Sequence, residues 1–331
     1  MSVNNNEKIY IAGHRGLVGS ALVRRLNAVG FTNLTVRAHD ELELTDQAAV
    51  RQFFKSERPD YVFLAAAKVG GIYANNTYPA DFIYDNIGVQ TNVIHAAWQH
   101  GVKRLLFLGS SCIYPRDCPQ PMQESHLLSG PLEPTNRPYA VAKIAGVEMC
   151  WAFNRQYGTR FLSVMPTNLY GPGDNYDLPN CHVLPALIRK MHEAKMRGDK
   201  QVTIWGTGNA RREFLYVDDM ANACILLMKL PDVQFNSLIS SDAGDSNTAA
   251  LPPLINIGCG ADLTVRALAE TIARIVGFKG ALVFDTTKPD GTPRKLLDVS
   301  RIQELNWRPE VEFAHGVSLA YEDFLRTVMS K

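Results

Sequence analysis

No stretch of the 331-residue chain approaches the run of about 18 apolar residues that a membrane-spanning helix needs, and the opening MSVNNNEKIYIAG lacks the hydrophobic region of a secretory leader. Both absences argue against a membrane, and the expected location is cytoplasmic. Neither sign of charge is in excess: 34 Lys and Arg stand against 33 Asp and Glu, a formal net charge of +1. Without a broad basic field, nucleic acid and anionic membrane surfaces are not expected as main partners, whereas small anions can still be met by local arginines. The six cysteines, Cys112, Cys118, Cys150, Cys181, Cys224 and Cys259, have neither CxxC nor zinc-ligand spacing, so the expectation is reduced thiols and no metal. No internal repeat is apparent. What is present, 46% hydrophobic and 20% charged residues, suits one large or two medium globular domains.

The apolar runs KIYIAG, LTVRA, YVFLAAA, RLLFLGS and RFLSVMP read as strands separated by amphipathic helical segments, two of them long, Pro79–His100 and Pro138–Tyr157. That alternation predicts an α/β fold, a Rossmann-type doubly wound parallel sheet over residues 1–167. From Asn168 the texture changes. The loop GPGDNYDLPNCH leads into helical VLPALIRKMHEAK and the short strand VTIWG, which predicts a smaller C-terminal α/β substrate domain over 168–331, with a segment near 214–232 returning to the first. Further helices are expected near 218–229, 264–276 and 313–328, and Ser237–Pro253 reads as a surface loop.

AGHRGLVGS places Gly13, Gly16 and Gly19 directly after the first strand and at the start of a helix. Such glycines let the backbone approach a pyrophosphate, and the helix N-terminus supplies amides and a favourable dipole, so a dinucleotide is expected here. Cofactor choice is read at the end of the second strand, where an acid would hold a ribose hydroxyl and a base a 2′-phosphate. Arg37 stands there, with Arg15 inside the glycine turn, and the expected cofactor is NADP(H) rather than NAD(H). Arg37 has the alternative of a solvated surface charge, Asp40 that of folding back onto the ribose, and His39 that of an additional donor.

In RPYAVAKIAG, Tyr139 and Lys143 lie four apart on one helix face. Ser110 and Ser111 stand upstream at the end of the fourth strand. With the glycine turn, these features resemble the extended, nucleotide-sugar-modifying branch of the short-chain dehydrogenase/reductase superfamily over nearly the whole chain. The resemblance implies Tyr139 as proton donor or acceptor, Lys143 as its modulator and a ligand of the nicotinamide ribose, and Ser110 as orienter of the substrate oxygen. An ammonium beside a phenol favours the phenolate, which makes the assignment physically sensible.

Longer stretches, AAAKVGGIYANNTYPADFIYDN, GSSCIYP, EPTNRPYAVAKIAG, VMPTNLYGPGDN and REFLYVDD, are similar to the 3,5-epimerase/4-reductases of GDP-4-keto-6-deoxymannose. A C4 ketone acidifies the hydrogens on C3 and C5, so one carbonyl serves epimerisation and reduction. In that family an extra acid/base pair is a cysteine and a histidine, which implies Cys112 and His182 here; the alternatives are a buried apolar thiol and a solvent-facing helix-start histidine. The same resemblance implies Val183, Leu187, Lys190, Trp205, Arg212 and Lys288 as ligands of the GDP-sugar substrate, and a homodimer through the two long helices. His39 departs from the pattern, standing where a second 2′-phosphate arginine is expected, and Ser237–Pro253 looks longer than usual. Two rivals are another nucleotide-sugar epimerase or reductase with a different base, which a panel of keto-sugars separates, and a cofactor-sensing regulatory protein, which the joint presence of five catalytic residue types opposes.

Overall fold

Strands covered on both faces by helices need little polar alternation, and IYIA, YVFL, RLLFL and FLSVMP have little: every residue of these runs is buried. The computed structural model describes residues 3–240, 252–288 and 290–327. Its first half runs β1 (Ile9–Ala12), α1 (Leu17–Ala28), β2 (Leu34–Thr35), α2 (Gln47–Glu57), β3 (Tyr61–Leu64), α3 (Ile72–Thr77), α4 (Pro79–Gln99), β4 (Arg104–Leu108), α5 (Arg137–Tyr157) and β5 (Phe161–Pro166). Then come β6 (Asn168–Tyr170), α6 (Val183–Arg197), β7 (Gln201–Trp205), β8 (Arg211–Tyr216), α7 (Val217–Lys229), α8 (Asp232–Ile239), β9 (Leu254–Ile257), β10 (Asp262–Thr264), α9 (Val265–Val276), β11 (Ala281–Asp285), β12 (Arg294–Lys295), α10 (Ser300–Glu304) and α11 (Phe313–Thr327).

Six strands form one parallel sheet in the order β2-β1-β3-β4-β5-β9. The order reverses between β1 and β3, the place beyond the carboxyl ends where sheets of this kind bind ligands. Gly13 turns there with φ +86°, and a Cβ on it would stand 2.8 Å from the Ala66 backbone beyond β3. Helices α4 and α5, 21 residues each, pack side by side on the sheet. Gly146 makes that possible, because a Cβ there would lie 2.4 Å from the Phe107 ring of β4.

A second apolar core gathers Tyr170, Leu184, Ile188, Phe214, Ile272 and Phe324. It lies among α6, α9, α11 and two small sheets, β10-β8-β12 with β6 beside β8, and β11-β7. The amphipathic α9 buries Leu268, Ala269, Ile272 and Val276 on one stripe, and the Thr264 hydroxyl caps its start by accepting from the Ala267 amide at 3.1 Å. Helix α7 and strand β9 return to the first core.

Two expectations need correction. The run LTVRA is a strand only over Leu34–Thr35, which leaves Arg37 in the loop that follows. The segment Ser237–Pro253 is not a loop throughout: residues 237–239 complete α8 and Pro252 and Pro253 are buried ahead of β9, where helix capacity and apolar burial override a Ser- and Asp-rich composition. Residues 241–251 lie outside the described residues.

Candidate active site

The glycine turn meets the demands of a dinucleotide cradle. A Cβ on Gly19 would lie 2.1 Å from the Gly13 carbonyl oxygen, so only glycine lets α1 start this close to β1. Helix α1 has no side-chain cap at Gly16, which leaves its N-terminal amides to an anion. His14, inside the turn, keeps a buried Nδ1 with no hydrogen-bond partner among the described residues. Uncapped amides, close-packed glycines and an orphaned ring nitrogen together fit a bound pyrophosphate. Arg15 is exposed and makes no ion pair among the described residues, while Arg37 forms an ion pair with Glu57, donates to the Val36 carbonyl at 2.8 Å and lies 5.4 Å over the Phe53 ring. His39, 89% exposed, pairs with Glu43 at 2.9 Å.

Strand β4 ends at Leu108 and the chain turns through a short 3-10 segment, Ser111–Ile113, whose Cys112 amide donates to the Ser110 hydroxyl at 3.2 Å. Helix α5 brings Tyr139 and Lys143 to the same spot. Lys143 is 3% exposed, donates to the Leu108 carbonyl at 2.8 Å and has its ammonium 5.9 Å from the Tyr139 ring centre. Burial pushes its proton affinity down to about 7. Burial also raises the Tyr139 phenol well above its ordinary value; Cys112 acts in the same direction and the Ser110 hydroxyl against it. The phenol is therefore protonated throughout the neutral range and suits proton donation. Cys112 packs with Tyr139, Ala74 and Phe82 in one small cluster, and its Sγ accepts from Asn136 Nδ2 at 3.1 Å, with Lys295 Nζ at 4.0 Å.

The loop before α6 closes over this cluster. The Gly71 amide donates to the Asn180 carbonyl at 2.9 Å, and a Cβ on Gly70 would stand 3.1 Å from the Phe82 ring, which meets Tyr139 edge-on at 6.2 Å between centres. His182 is the residue before α6. It is exposed and makes no hydrogen bond among the described residues, yet the surrounding protein displaces enough water to lower the imidazole's proton affinity.

Farther out, Trp205 is 67% exposed and flanked by Lys190 Nζ at 5.9 Å and Lys288 Nζ at 5.7 Å from its ring centre. An open indole between two ammonium groups can stack an aromatic base beside an anionic chain. Arg212 donates to the Arg211 and Thr292 carbonyls at 2.7 and 2.6 Å, and burial lowers the guanidinium's proton affinity. Val183 opens to solvent at the start of α6, but Leu187 is 3% exposed within the second core, because its helix position falls on the buried stripe.

The structure thus gathers Ser110, Cys112, Tyr139 and Lys143 at one place and Lys190, Trp205 and Lys288 at another. Sequence reasoning missed Asn136, Lys295 and His14. Asn136 and His14 lie inside stretches that already carried signal, whereas Lys295 follows Arg294 in TPRK, where no local pattern sets it apart.

A family model described as NAD dependent epimerase/dehydratase family matches residues 9–237. GDP-L-fucose synthase 1 of Arabidopsis thaliana is 54% identical over 328 residues, 99% of this chain and 96% of that protein. GDP-L-fucose synthase of Escherichia coli (strain K12) is 54% identical over 97% of each chain. Among solved structures, a GDP-L-fucose synthetase from Naegleria fowleri bound to NADP matches with a TM-score of 0.86 at 25% identity, covering 100% of this chain and 97% of that one.

Proposed function

We propose that this chain, which belongs to the NAD dependent epimerase/dehydratase family, converts GDP-4-keto-6-deoxy-D-mannose to GDP-L-fucose by epimerisation at C3 and C5 and NADPH-dependent reduction at C4. The observation that carries this reading is the Cys112 thiol packed in the same small cluster as the Tyr139 ring, which sets two proton-handling groups side by side. The full-length similarity to GDP-L-fucose synthases supports the substrate.

Bound NADPH supplies the hydride that reduces C4. The amides of α1 and Gly13, Gly16 and Gly19 hold the dinucleotide, and Lys143 holds the nicotinamide ribose. Tyr139 delivers the proton that the C4 oxygen needs, and Ser110 orients that oxygen. Before reduction, Cys112 removes the proton on C3 or C5 while the electron pair moves onto the C4 oxygen, and His182 returns a proton from the opposite face. Because the protein around it lowers the imidazole's proton affinity, its charged share falls at lower pH than that of an ordinary histidine. Proton delivery by His182 is therefore favoured on the acidic side of neutrality. Trp205, Lys190 and Lys288 take the guanosine diphosphate with Val183 and Arg212, and the division of labour follows the two cores, cofactor on the first and nucleotide sugar on the second.

Mixing the protein with NADPH and GDP-4-keto-6-deoxy-D-mannose should lower nicotinamide absorbance and yield an L-configured sugar by NMR. No change in absorbance would overturn the reading. In the same assay His182→Asn should lose inverted product by about 100-fold or more, as removal of a positioned acid does.

Cofactor selection is assigned to Arg15 and Arg37, with Arg15 the readier partner of a 2′-phosphate because Arg37 is engaged by Glu57. Arg15→Glu should weaken NADPH binding roughly tenfold or more while changing NADH binding little, since a charge-assisted hydrogen bond contributes about 1.5–3 kcal/mol. Titration of both cofactors checks this, and equal losses would remove the 2′-phosphate role.

The assembly proposed is a homodimer through α4 and α5. Their outer face exposes Tyr84, Ile87, Val141 and Tyr157, and a groove runs between Pro79, Ile83 and Pro138. The proposed location is the cytoplasm, in keeping with six unpaired thiols.

A further inference from the structure

Strand β12 is two residues long, yet its register puts a cation against the thiol. It pairs in parallel with β8, Arg294 opposite Arg211 and Lys295 opposite Arg212. Successive side chains of a strand point to opposite faces, so each register pair shares a face. On one face Arg211 and Arg294 both bind the buried Asp262 carboxylate, which satisfies them. On the other, Arg212 shares the face of Lys295, whose Nζ lies 4.0 Å from the Cys112 sulfur. Arg212 is pinned by two backbone carbonyls. Lys295 is half-buried, forms no ion pair among the described residues, and has the Cys112 sulfur as its polar neighbour at 4.0 Å. The strand cannot slide, because the next residues are bonded in turn: the Leu296 amide donates to Gln120 Oε1 at 2.9 Å and the Leu297 amide to the buried Glu213 carboxylate at 3.0 Å.

We propose that Lys295 is a positioning residue that holds Cys112 in its anionic, proton-accepting form for the epimerisation at C3 and C5. The inference rests on the functional reading above. The thiolate gains the proton from the sugar carbon and becomes a thiol, and the C–H electron pair moves onto the C4 oxygen, so charge passes from sulfur to substrate with no other reactant. Lys295 touches neither reacting atom of the sugar and acts only through the sulfur. The groups around that sulfur are Lys295 from β12, the Tyr139 phenol from α5 and, ahead of α5, the neutral Asn136 amide, with Arg212 of β8 opposite Lys295 in register. An ammonium this close favours the anionic form of its neighbour, and among the described residues Lys295 donates to no other acceptor.

The test compares wild type, Lys295→Met and Lys295→Arg. Alkylation of Cys112 by iodoacetamide is followed by mass spectrometry on the tryptic peptide 105–116, in which Cys112 is the one cysteine. Lys295→Met should react on the order of tenfold more slowly at pH 7, with its rate profile displaced to higher pH by about one unit or more and converging on wild type in alkali. Lys295→Arg, which keeps the charge, should stay close to wild type. Solvent deuterium entry at C3 and C5 of the keto-sugar should show the same order and the same recovery in alkali. Coincident alkylation profiles for wild type and Lys295→Met would overturn the proposal, as would equal slowing in the Met and Arg variants, which would mark a role in shape alone. If wild type exchanged no hydrogen at C3 or C5, the functional reading would fail, and the alkylation profiles would still decide whether Lys295 governs the thiol.

Discussion

Tyr139→Phe should abolish reduction of the C4 ketone and leave hydrogen exchange at C3 and C5 in place. The phenol is buried against Phe82 and raised in proton affinity, so in the proposed reaction it is the group that carries the proton to the C4 oxygen. Phenylalanine keeps the ring, and the apolar cluster of Ala74, Phe82 and Cys112 accepts it without a cavity. Loss of the hydroxyl therefore removes chemistry rather than structure. Reduction should fall by about 100- to 10,000-fold, the usual cost of a missing general acid. In deuterated buffer the variant should load deuterium at C3 and C5 with nicotinamide absorbance unchanged, at a rate somewhat below wild type because the carbonyl is less polarised. Reduction within about tenfold of wild type would remove Tyr139 from the role.

Cys112→Ser should do the reverse. A hydroxyl is far harder to ionise than a thiol of ordinary value about 8.5, so the Asn136 amide and the Lys295 ammonium would face a group that stays protonated. Exchange at C3 and C5 should drop by about 100-fold or more. Ser110, Tyr139 and Lys143 are untouched, so slow reduction of the unepimerised ketone should release a 6-deoxy sugar that differs from fucose at C3 and C5 by NMR. Wild-type exchange in Cys112→Ser would make the thiol a packing group and transfer the proton chemistry elsewhere. Together the two variants separate the functions that one carbonyl supports.

Much of this site was open to reading in the chain because its parts are local. Tyr139 and Lys143 are four residues apart on one helix, Ser110 and Cys112 follow one strand, and the three glycines stand in one turn; each spacing is converted to geometry by a period of 3.6 or 2 residues or by a single tight bend. The short buried strands declare themselves in the same way, since apolar runs bounded by glycine and proline have few other uses. Arg37 shows where such reading ends. Its place after the second strand is a local fact, but its ion pair with Glu57 depends on how the C-terminus of α2 returns to that loop.

The sequence by itself determined the parallel α/β architecture, the glycine cradle and the serine, tyrosine and lysine constellation, because repeat periods of helix and strand carry side-chain direction over a few residues. Only the tertiary structure decided that Lys295, 183 positions from Cys112 along the chain, faces its sulfur. That contact depends on the register of a two-residue strand on β8 and on the buried Glu213 carboxylate that holds the residues beyond it. A shift of one residue would turn Lys295 toward Asp262 and leave the thiol facing Arg294, and no local pattern in the chain selects between those registers.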